Sequence, residues 1–174
     1  MYYSKIKDCD IANGAGVRVS LFVSGCTHHC KGCFNEMAWD FHYGVPFTQE
    51  DVTKIMKLLE PPYIAGLTLL GGEPMEYGNQ QALLPLVREV KEAYPDKNIW
   101  CYTGYLYDKD LRSDFCAKWE VTKELLSYLD VIVDGEFIEA RKDISLRFRG
   151  SSNQRIIDVK KSMQEDRVVL WDEE

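Results

Sequence analysis

The stretch Gly25-Cys26-Thr27-His28-His29-Cys30-Lys31-Gly32-Cys33 carries three cysteines in the spacing C-x3-C-x2-C. Thiols at this spacing can meet on one side of a tight loop, where thiolates are soft ligands for an iron–sulfur cluster or for zinc. A cubane cluster held by three cysteines leaves one iron open to an outside ligand, whereas structural zinc normally takes a fourth Cys or His. His28 or His29 could supply that fourth ligand. The loop is therefore predicted to bind a metal through Cys26, Cys30 and Cys33, and its spacing leaves both kinds of site open.

The length and composition of the chain indicate one domain. It has 174 residues, 45% of them hydrophobic, which is enough for one well-buried core and short for two. We expect a single domain over residues 1–174, with the charged and weakly patterned residues 156–174 as a C-terminal extension. A formal net charge of −7 argues against a broad surface for nucleic acid or anionic membranes. A protein or small-molecule partner is expected instead.

The sequence also predicts a cytoplasmic protein with reduced cysteines. No run of about 18 apolar residues occurs, and Met1–Asp8 lacks the apolar core of a signal peptide. In such a chain the six cysteines should stay reduced, so metal ligation is favoured over disulfides. Cys9, Cys101 and Cys116 lack the ligand spacing, and cysteines of that kind are more often small buried hydrophobes. We expect them to have no special role.

Apolar periodicity predicts strands that alternate with helices. Strands are predicted at Val17–Val23, Leu67–Leu70, Ile99–Tyr102 and Val131–Val133, and helices at Thr48–Leu59, Asn79–Tyr94 and Glu120–Leu129. Such alternation implies right-handed βαβ units around a parallel sheet. Because a closed eight-stranded barrel usually takes about 200 residues or more, we expect an α/β fold in the form of an open, partial (β/α) barrel of parallel strands with outer helices.

Several polar residues follow directly after the predicted strands. In a parallel sheet these loops gather at one edge, where ligands bind. Gly71-Gly72-Glu73-Pro74 could be an ordinary turn, or a site where a ligand approaches the backbone and the Glu73 carboxylate accepts from it. Asp134 fits either a turn before Gly135 or an acceptor for ribose hydroxyls or an ammonium group. Thr103 is a small polar residue that could reach a ligand at the same edge.

Taken together, these motifs resemble the radical S-adenosylmethionine (SAM) enzymes, and within them the activating enzymes of anaerobic ribonucleoside-triphosphate reductases. The segments that carry the resemblance are Asp10–Arg18, Leu21–Gly25, the three cysteines with Asn35, Gly71–Pro74, Trp100–Tyr105, Val133–Gly135 and Arg149–Gln154. The chain departs from the pattern at Gly32, where many members have an aromatic residue. We expect Phe34 to provide the apolar cover of the cluster in its place.

The resemblance implies a specific chemistry. In that family the three cysteines hold a [4Fe–4S] cluster whose free iron binds the amino and carboxylate groups of SAM, and reduction of the cluster yields a 5′-deoxyadenosyl radical. The implied cofactor-binding residues are Gly71, Gly72, Glu73, Thr103 and Asp134. The implied protein partners are the reductase, on which a glycyl radical is generated, and a low-potential electron donor. No general acid or base is required, so none is predicted.

Two alternative functions, and the role of the segment Arg149–Gln154, stay open from the sequence. The chain could activate another glycyl-radical enzyme, since the pyruvate formate-lyase activator shares the Gly-x-Gly-x-Arg opening and the cysteine spacing. It could instead be a zinc-stabilised binding module. Arg149–Gln154 has no apolar period and could be a solvated loop, yet its likeness to the reductase activators suggests that it grips either the partner's backbone or the SAM carboxylate.

Overall fold

The computed structural model of the chain describes residues 1–112 and 119–173. The strands of the described segments form one mixed sheet and are β1 Tyr2–Asp10, β2 Val17–Val23, β3 Val45–Pro46, β4 Ile64–Gly71, β5 Asn98–Tyr102, β6 Val131–Asp134 and β7 Arg155–Asp158. The α-helices are α1 Gln49–Leu59, α2 Tyr77–Ala93, α3 Glu120–Tyr128 and α4 Val159–Glu165. Short 3-10 helices cover Glu36–Trp39 and Glu139–Arg141, and a π-helix covers Tyr107–Leu111.

The sheet has a parallel centre and antiparallel edges. Its strand order is β3-β1-β2-β4-β5-β6-β7. The pairs β2–β4, β4–β5 and β5–β6 are parallel, whereas β1 pairs antiparallel with β2 and β3, and β7 with β6. The predicted α/β fold and its four predicted strands, which pair in parallel, are therefore confirmed, whereas the sheet as a whole is mixed rather than parallel. The edge strands escaped prediction because they are mostly half-exposed and carry little apolar alternation.

The predicted helices form where their apolar stripes meet the sheet. Helix α1 begins after Thr48, whose backbone N–H and hydroxyl both donate to the Asp51 carboxylate in a capping box. Its buried residues are Val52, Ile55 and Leu59. Helix α2 begins two residues before the predicted Asn79 and contains Pro85. Prolines inside a helix remove one backbone hydrogen bond, but seven buried side chains hold this helix against the core.

The two faces of the sheet differ in chemistry. One face carries Val19, Leu21, Leu67 and Leu69, which lie in the main apolar core with buried residues of α1, α2 and α3. The other face carries buried polar side chains centred on Arg18, together with a smaller apolar cluster of Trp100, Val131 and Val133. Because side chains alternate along a strand, neighbours in one strand serve both faces.

Arg18 is fully buried, and all five of its N–H donors are used. Its Nε donates to Thr68 Oγ1 at 2.7 Å, and Nη1 donates to Asn98 Oδ1 at 2.7 Å and to the Ala15 carbonyl at 3.0 Å. Nη2 donates to the carbonyls of Leu67 and Asn98. Burial lowers the pKa of Arg18 to about 10. This cation therefore links β2, β4 and β5 toward their amino-terminal ends, opposite the cysteine loop.

The last described residues pack against β7 and the Trp100 ring. Leu170 forms an isolated bridge with Ile157 of β7, and the Trp171 backbone N–H donates to the Ile156 carbonyl at 2.9 Å. The Trp171 ring meets that of Trp100 edge-on, with 5.1 Å between centroids. No helix in residues 1–112 or 119–173 combines the length and apolar character needed to cross a membrane.

Candidate functional site

The cysteine loop begins where β2 ends and is held by backbone hydrogen bonds. The Gly25 N–H donates to the Ala38 carbonyl at 2.8 Å, and the Cys26 N–H to the Trp39 carbonyl at 3.3 Å. The loop thereby lies against the 3-10 helix Glu36–Trp39. Cys26, Cys30 and Cys33 all line one cavity of about 510 Å³ at the carboxyl ends of the parallel strands. The three predicted metal ligands thus line the same cavity.

The environment of the thiols suits a metal better than free thiolates. Burial raises the pKa of the Cys26 thiol to about 11, and the nearby charge of Glu73 adds to that effect. Burial and the charge of Glu136 also raise the pKa of Cys30. Thiolates at such positions need a compensating positive charge, which a bound metal provides. The donor set of three soft sulfurs beside a roomy cavity therefore fits an iron–sulfur cluster.

Both histidines of the loop have other partners. The His28 ring lies between two carboxylates, with Nε2 at 2.8 Å from Glu73 Oε2 and Nδ1 at 2.9 Å from Glu136 Oε1. The His29 ring stacks on Trp39 with 4.4 Å between centroids. Among the described residues, no three His, Cys, Asp or Glu side chains are grouped so as to hold a single metal ion.

The glycine motif packs directly onto the cysteine loop. The Gly72 N–H donates to the Val23 carbonyl at 2.7 Å, and the Glu73 N–H to the Gly25 carbonyl at 2.8 Å. A Cβ at Gly72 would lie 2.6 Å from the Gly25 carbonyl oxygen and 2.8 Å from that of Ala38. The need for glycine at this position therefore comes from the neighbouring backbone, a cause that the sequence analysis did not foresee.

Glu73 is buried and holds the cavity wall together. Its carboxylate is 1% exposed, and it accepts from the Met75 N–H on Oε1 and from the Gly104 N–H on Oε2, at 2.8 and 2.7 Å. The His28 ring also contacts Oε2. Glu73 thereby joins the loops that follow β4 and β5 to the cysteine loop. Gly71 and Gly72 line the cavity beside it.

Of the two remaining predicted cofactor residues, only Thr103 lines the cavity. Thr103 follows β5, its N–H donates to the Val133 carbonyl at 2.9 Å, and its hydroxyl accepts from the Tyr105 N–H. Asp134 is fully buried elsewhere. Its carboxylate accepts from Arg155 at 2.6 and 3.0 Å and from the Tyr107 N–H at 2.8 Å. The residues that line the cavity at the end of β6 are instead Val133, Gly135, Glu136 and Phe137.

The segment Arg149–Gln154 is an ordered loop that closes one side of the cavity. Arg149 donates to the Gln154 carbonyl at 2.7 Å, and the Gln154 side chain accepts from Gly150 and Ser151 and donates to the Gly135 carbonyl. Asn153 donates to the Glu136 carbonyl at 2.8 Å. These contacts fasten the loop to the end of β6, and Arg149, Gly150 and Gln154 line the cavity.

Comparison with known proteins agrees with this geometry. The family model of a 4Fe-4S single cluster domain matches residues 12–157. The chain is 42% identical to the anaerobic ribonucleoside-triphosphate reductase-activating protein of Pasteurella multocida, over 90% of this chain and 96% of the relative. The proteins of the same name in Vibrio cholerae and in Enterobacteria phage T4 are 44% and 40% identical, each over 90% of this chain and over 97% and 93% of their own lengths.

The chain belongs to the anaerobic ribonucleoside-triphosphate reductase-activating proteins. This membership confirms the resemblance described for the sequence. It agrees with an iron–sulfur cluster rather than with zinc, and with the reductase rather than with pyruvate formate-lyase as the partner of the relatives.

Several cavity residues were missed by sequence reasoning. They include Trp39, Leu70, Glu136, Phe137, Leu146 and Phe148. Glu136 and Phe137 follow β6 directly, so their place at the strand ends was a usable signal. Phe34 does line the cavity, where its ring meets that of Phe137 at 5.1 Å. Cys101 is buried, as expected of a small hydrophobe, whereas Cys9 is exposed, contrary to that expectation. Cys116, expected to have no special role, lies outside the described residues.

Proposed function

We propose that this chain is a radical SAM activase that generates a glycyl radical on the anaerobic ribonucleoside-triphosphate reductase. The observation that supports the proposal most directly is the meeting of the three cysteines and Gly71–Glu73 in one cavity, in a chain of this family. In this assignment Cys26, Cys30 and Cys33 hold a [4Fe–4S] cluster. When bound, the cluster supplies the electron that cleaves SAM to methionine and a 5′-deoxyadenosyl radical.

The chain's own residues bind and orient the cofactor. Gly71, Gly72 and Glu73 receive the methionine end of SAM, because Glu73 is a buried acceptor and an α-ammonium is a strong donor. Thr103 contributes a hydroxyl at the same wall. Asp134 acts indirectly: it braces Arg155 and the start of the π-helix beside the site. No residue needs to transfer a proton.

Apolar residues of the cavity keep water away from the reactive centre. Phe22 and Leu70 are paired neighbours on β2 and β4, as are Tyr102 and Val133 on β5 and β6, and all four line the cavity. Exclusion of water protects a radical from side reactions.

We propose that the sheet and its helices form a partial barrel of the radical SAM type around this cavity. We also propose that residues 1–174 act as one such domain, with 156–174 as its C-terminal extension.

The reductase docks at the mouth of the cavity in this proposal. Phe34 lines the cavity and is 72% exposed, and two apolar residues close in sequence to the lining residues Phe137 and Leu146, namely Ile138 and Ile144, are 42% and 94% exposed. Lys142 lies over the Phe34 ring at 5.3 Å, and Lys31 pairs with Glu139 at 3.7 Å, so the cysteine loop and residues 137–142 form one surface. Exposed apolar residues of this kind mark protein interaction sites. A separate low-potential protein supplies the electron, and the free cysteines fit the reducing cytoplasm.

The test is an anaerobic incubation of reconstituted, reduced protein with SAM and the reductase. A glycyl-radical signal in electron paramagnetic resonance (EPR) is expected with the reductase and not with pyruvate formate-lyase. A signal with pyruvate formate-lyase alone would reverse the partner assignment. No signal with either protein, despite an intact cluster and bound SAM, would refute the activase function.

A further inference from the structure

His28 lies between Cys26 and Cys30 in the sequence, and its ring contacts two carboxylates. Its side chain is 10% exposed, and each ring nitrogen lies within 2.9 Å of a carboxylate oxygen, one on Glu73 and one on Glu136. Carboxylates in their ionised form only accept hydrogen bonds, so the ring serves as donor on both sides. One partner follows β4 and the other follows β6. The ring therefore bridges two walls of the cavity.

Packing fixes the ring in this bridge. The Tyr105 ring meets it edge-on with 4.5 Å between centroids. On another side lies Gly104, where a Cβ would come within 2.7 Å of the imidazole. The preceding residue is held as well, since the Thr27 N–H and hydroxyl donate to Glu76 Oε1 at 2.8 and 2.6 Å. Two consecutive residues of the cysteine loop thus bind the segment that begins at Glu73.

The hydrogen bonds on Glu73 are unevenly shared between its two oxygens. Oε2 accepts from Gly104 and lies against His28 Nε2, whereas Oε1 accepts from the Met75 N–H. A carboxylate has about four lone-pair sites, roughly two on each oxygen. Oε2 is therefore saturated, and the acceptor site that remains is on Oε1.

We propose that His28 is a positioning residue for SAM: it holds Glu73 Oε2 and so leaves Oε1 as the acceptor for the cofactor's α-ammonium group. This inference rests on the function proposed above. It assigns no ligand role to His28 and requires no change of its protonation. Without the His28 donor, the buried Glu73 carboxylate would lack one hydrogen bond and would rotate to form another. The orientation of Oε1 would then be lost.

Two near-isosteric substitutions separate the two contacts. In His28→Gln the side-chain amide reaches the place of Nε2 and keeps a donor for Glu73. In His28→Asn the shorter amide reaches the place of Nδ1, so the donor for Glu73 is lost. His29→Asn is the matched control, because it removes an imidazole from the next position, where φ is +50° and Asn is well tolerated.

The measurement is SAM affinity of the reconstituted, oxidised protein by anaerobic calorimetry, together with iron content and the change that SAM causes in the EPR spectrum of the reduced cluster. We expect full iron content in all variants. SAM affinity should fall roughly ten- to a hundred-fold in His28→Asn, the usual loss for a hydrogen bond to a charged group. His28→Gln and His29→Asn should stay near the unsubstituted protein.

Each contrary result has a distinct meaning. Unchanged affinity in His28→Asn, or an equal loss in His28→Gln, would overturn the assignment to Glu73. Loss of the cluster in His28→Asn would overturn it too, because the side chain would then serve the cysteine loop itself. Failure of the unsubstituted protein to bind SAM would refute the proposed function and this inference with it.

Discussion

Adding one methyl group at Gly72 tests whether the glycine motif and the cysteine loop are packed as one unit. A Cβ there would meet only backbone atoms: the Gly25 carbonyl oxygen at 2.6 Å, the Ala38 carbonyl oxygen at 2.8 Å and the Gly25 nitrogen at 3.0 Å. Backbone cannot swing aside as a flexible side chain can. Gly72→Ala must therefore displace the start of the cysteine loop.

The cost follows from overpacking and from the hydrogen bonds that must lengthen. Inserting a methyl into a packed site typically costs about 1–3 kcal/mol. The bonds at risk are Gly72 N–H to Val23 and Glu73 N–H to Gly25, each worth about 1 kcal/mol net. We expect a loss of about 2–4 kcal/mol in the free energy of unfolding, which lowers Tm by roughly 4–16 °C in a domain of this size.

Gly78 is the matched control within the same chain. It lies in the first turn of α2, and, apart from its chain neighbours and the helix backbone, no atom of the described residues lies within 4 Å of a Cβ built there. Alanine is favoured over glycine in a helix by about 0.5–1 kcal/mol, so Gly78→Ala should raise Tm slightly. The assay is anaerobic thermal unfolding followed by circular dichroism, with iron content after reconstitution. A Gly72→Ala protein as stable as Gly78→Ala, with full iron, would refute the packing argument.

Three further predictions address the cluster, the partner and the response to acid. Cys30→Ala should abolish the iron and its visible absorbance, while Cys101→Ala should retain both, because only the first thiol lines the cavity; equal iron in both would contradict this. Ile144→Glu should weaken glycyl-radical formation on the reductase. Leu170→Glu, a substitution at another exposed apolar residue, should not. Equal effects of the two substitutions would exclude the surface around Phe34 and Ile144 as the docking surface for the reductase. Asp10→Asn should lower the free energy of unfolding in urea at neutral pH, and its difference from the unsubstituted protein should shrink as the pH falls from about 4 to about 2; a constant difference would argue against a role of the Asp10 charge.

The sign of the acid effect comes from the environment of Asp10. Burial opposes its ionisation, but hydrogen bonds from Ser20, Asn13, the Ala12 N–H and Lys7 outweigh burial and lower its pKa from 3.8 to about 2. A carboxyl with a depressed pKa stabilises the fold above its unfolded pKa. That contribution is lost as the pH falls through the folded value.

The elements that sequence reasoning found are those with strong local patterns. The strand Val17–Val23 agrees with β2 at both ends, and the start of α1 follows from the capping box at Thr48. The cysteines and Gly71–Glu73 were also placed at one edge, because parallel strands put their following loops there. Local pattern and topology were sufficient for these parts.

What could not be predicted depends on contacts between distant residues. His28 and Glu73 are 45 positions apart, and nothing in either neighbourhood indicates that they touch. Asp134 was expected at the cofactor because it ends a strand, yet its carboxylate is satisfied by Arg155 from the antiparallel strand β7. Since β7 itself has only four residues with no strong alternation, that partner could not be anticipated.

The glycine motif Gly71–Glu73 and the cysteine loop are in direct contact, so substitutions of backbone and of side chains there should have different effects. Gly72 and Glu73 touch the cysteine loop through their backbone, so backbone changes there should perturb the proposed metal ligands and the proposed cofactor site together. The Glu73 side chain, in contrast, is bound to the cysteine loop through His28 rather than through any cysteine. If Glu73 binds SAM as proposed, side-chain substitutions along that contact should alter SAM binding while the cluster stays intact.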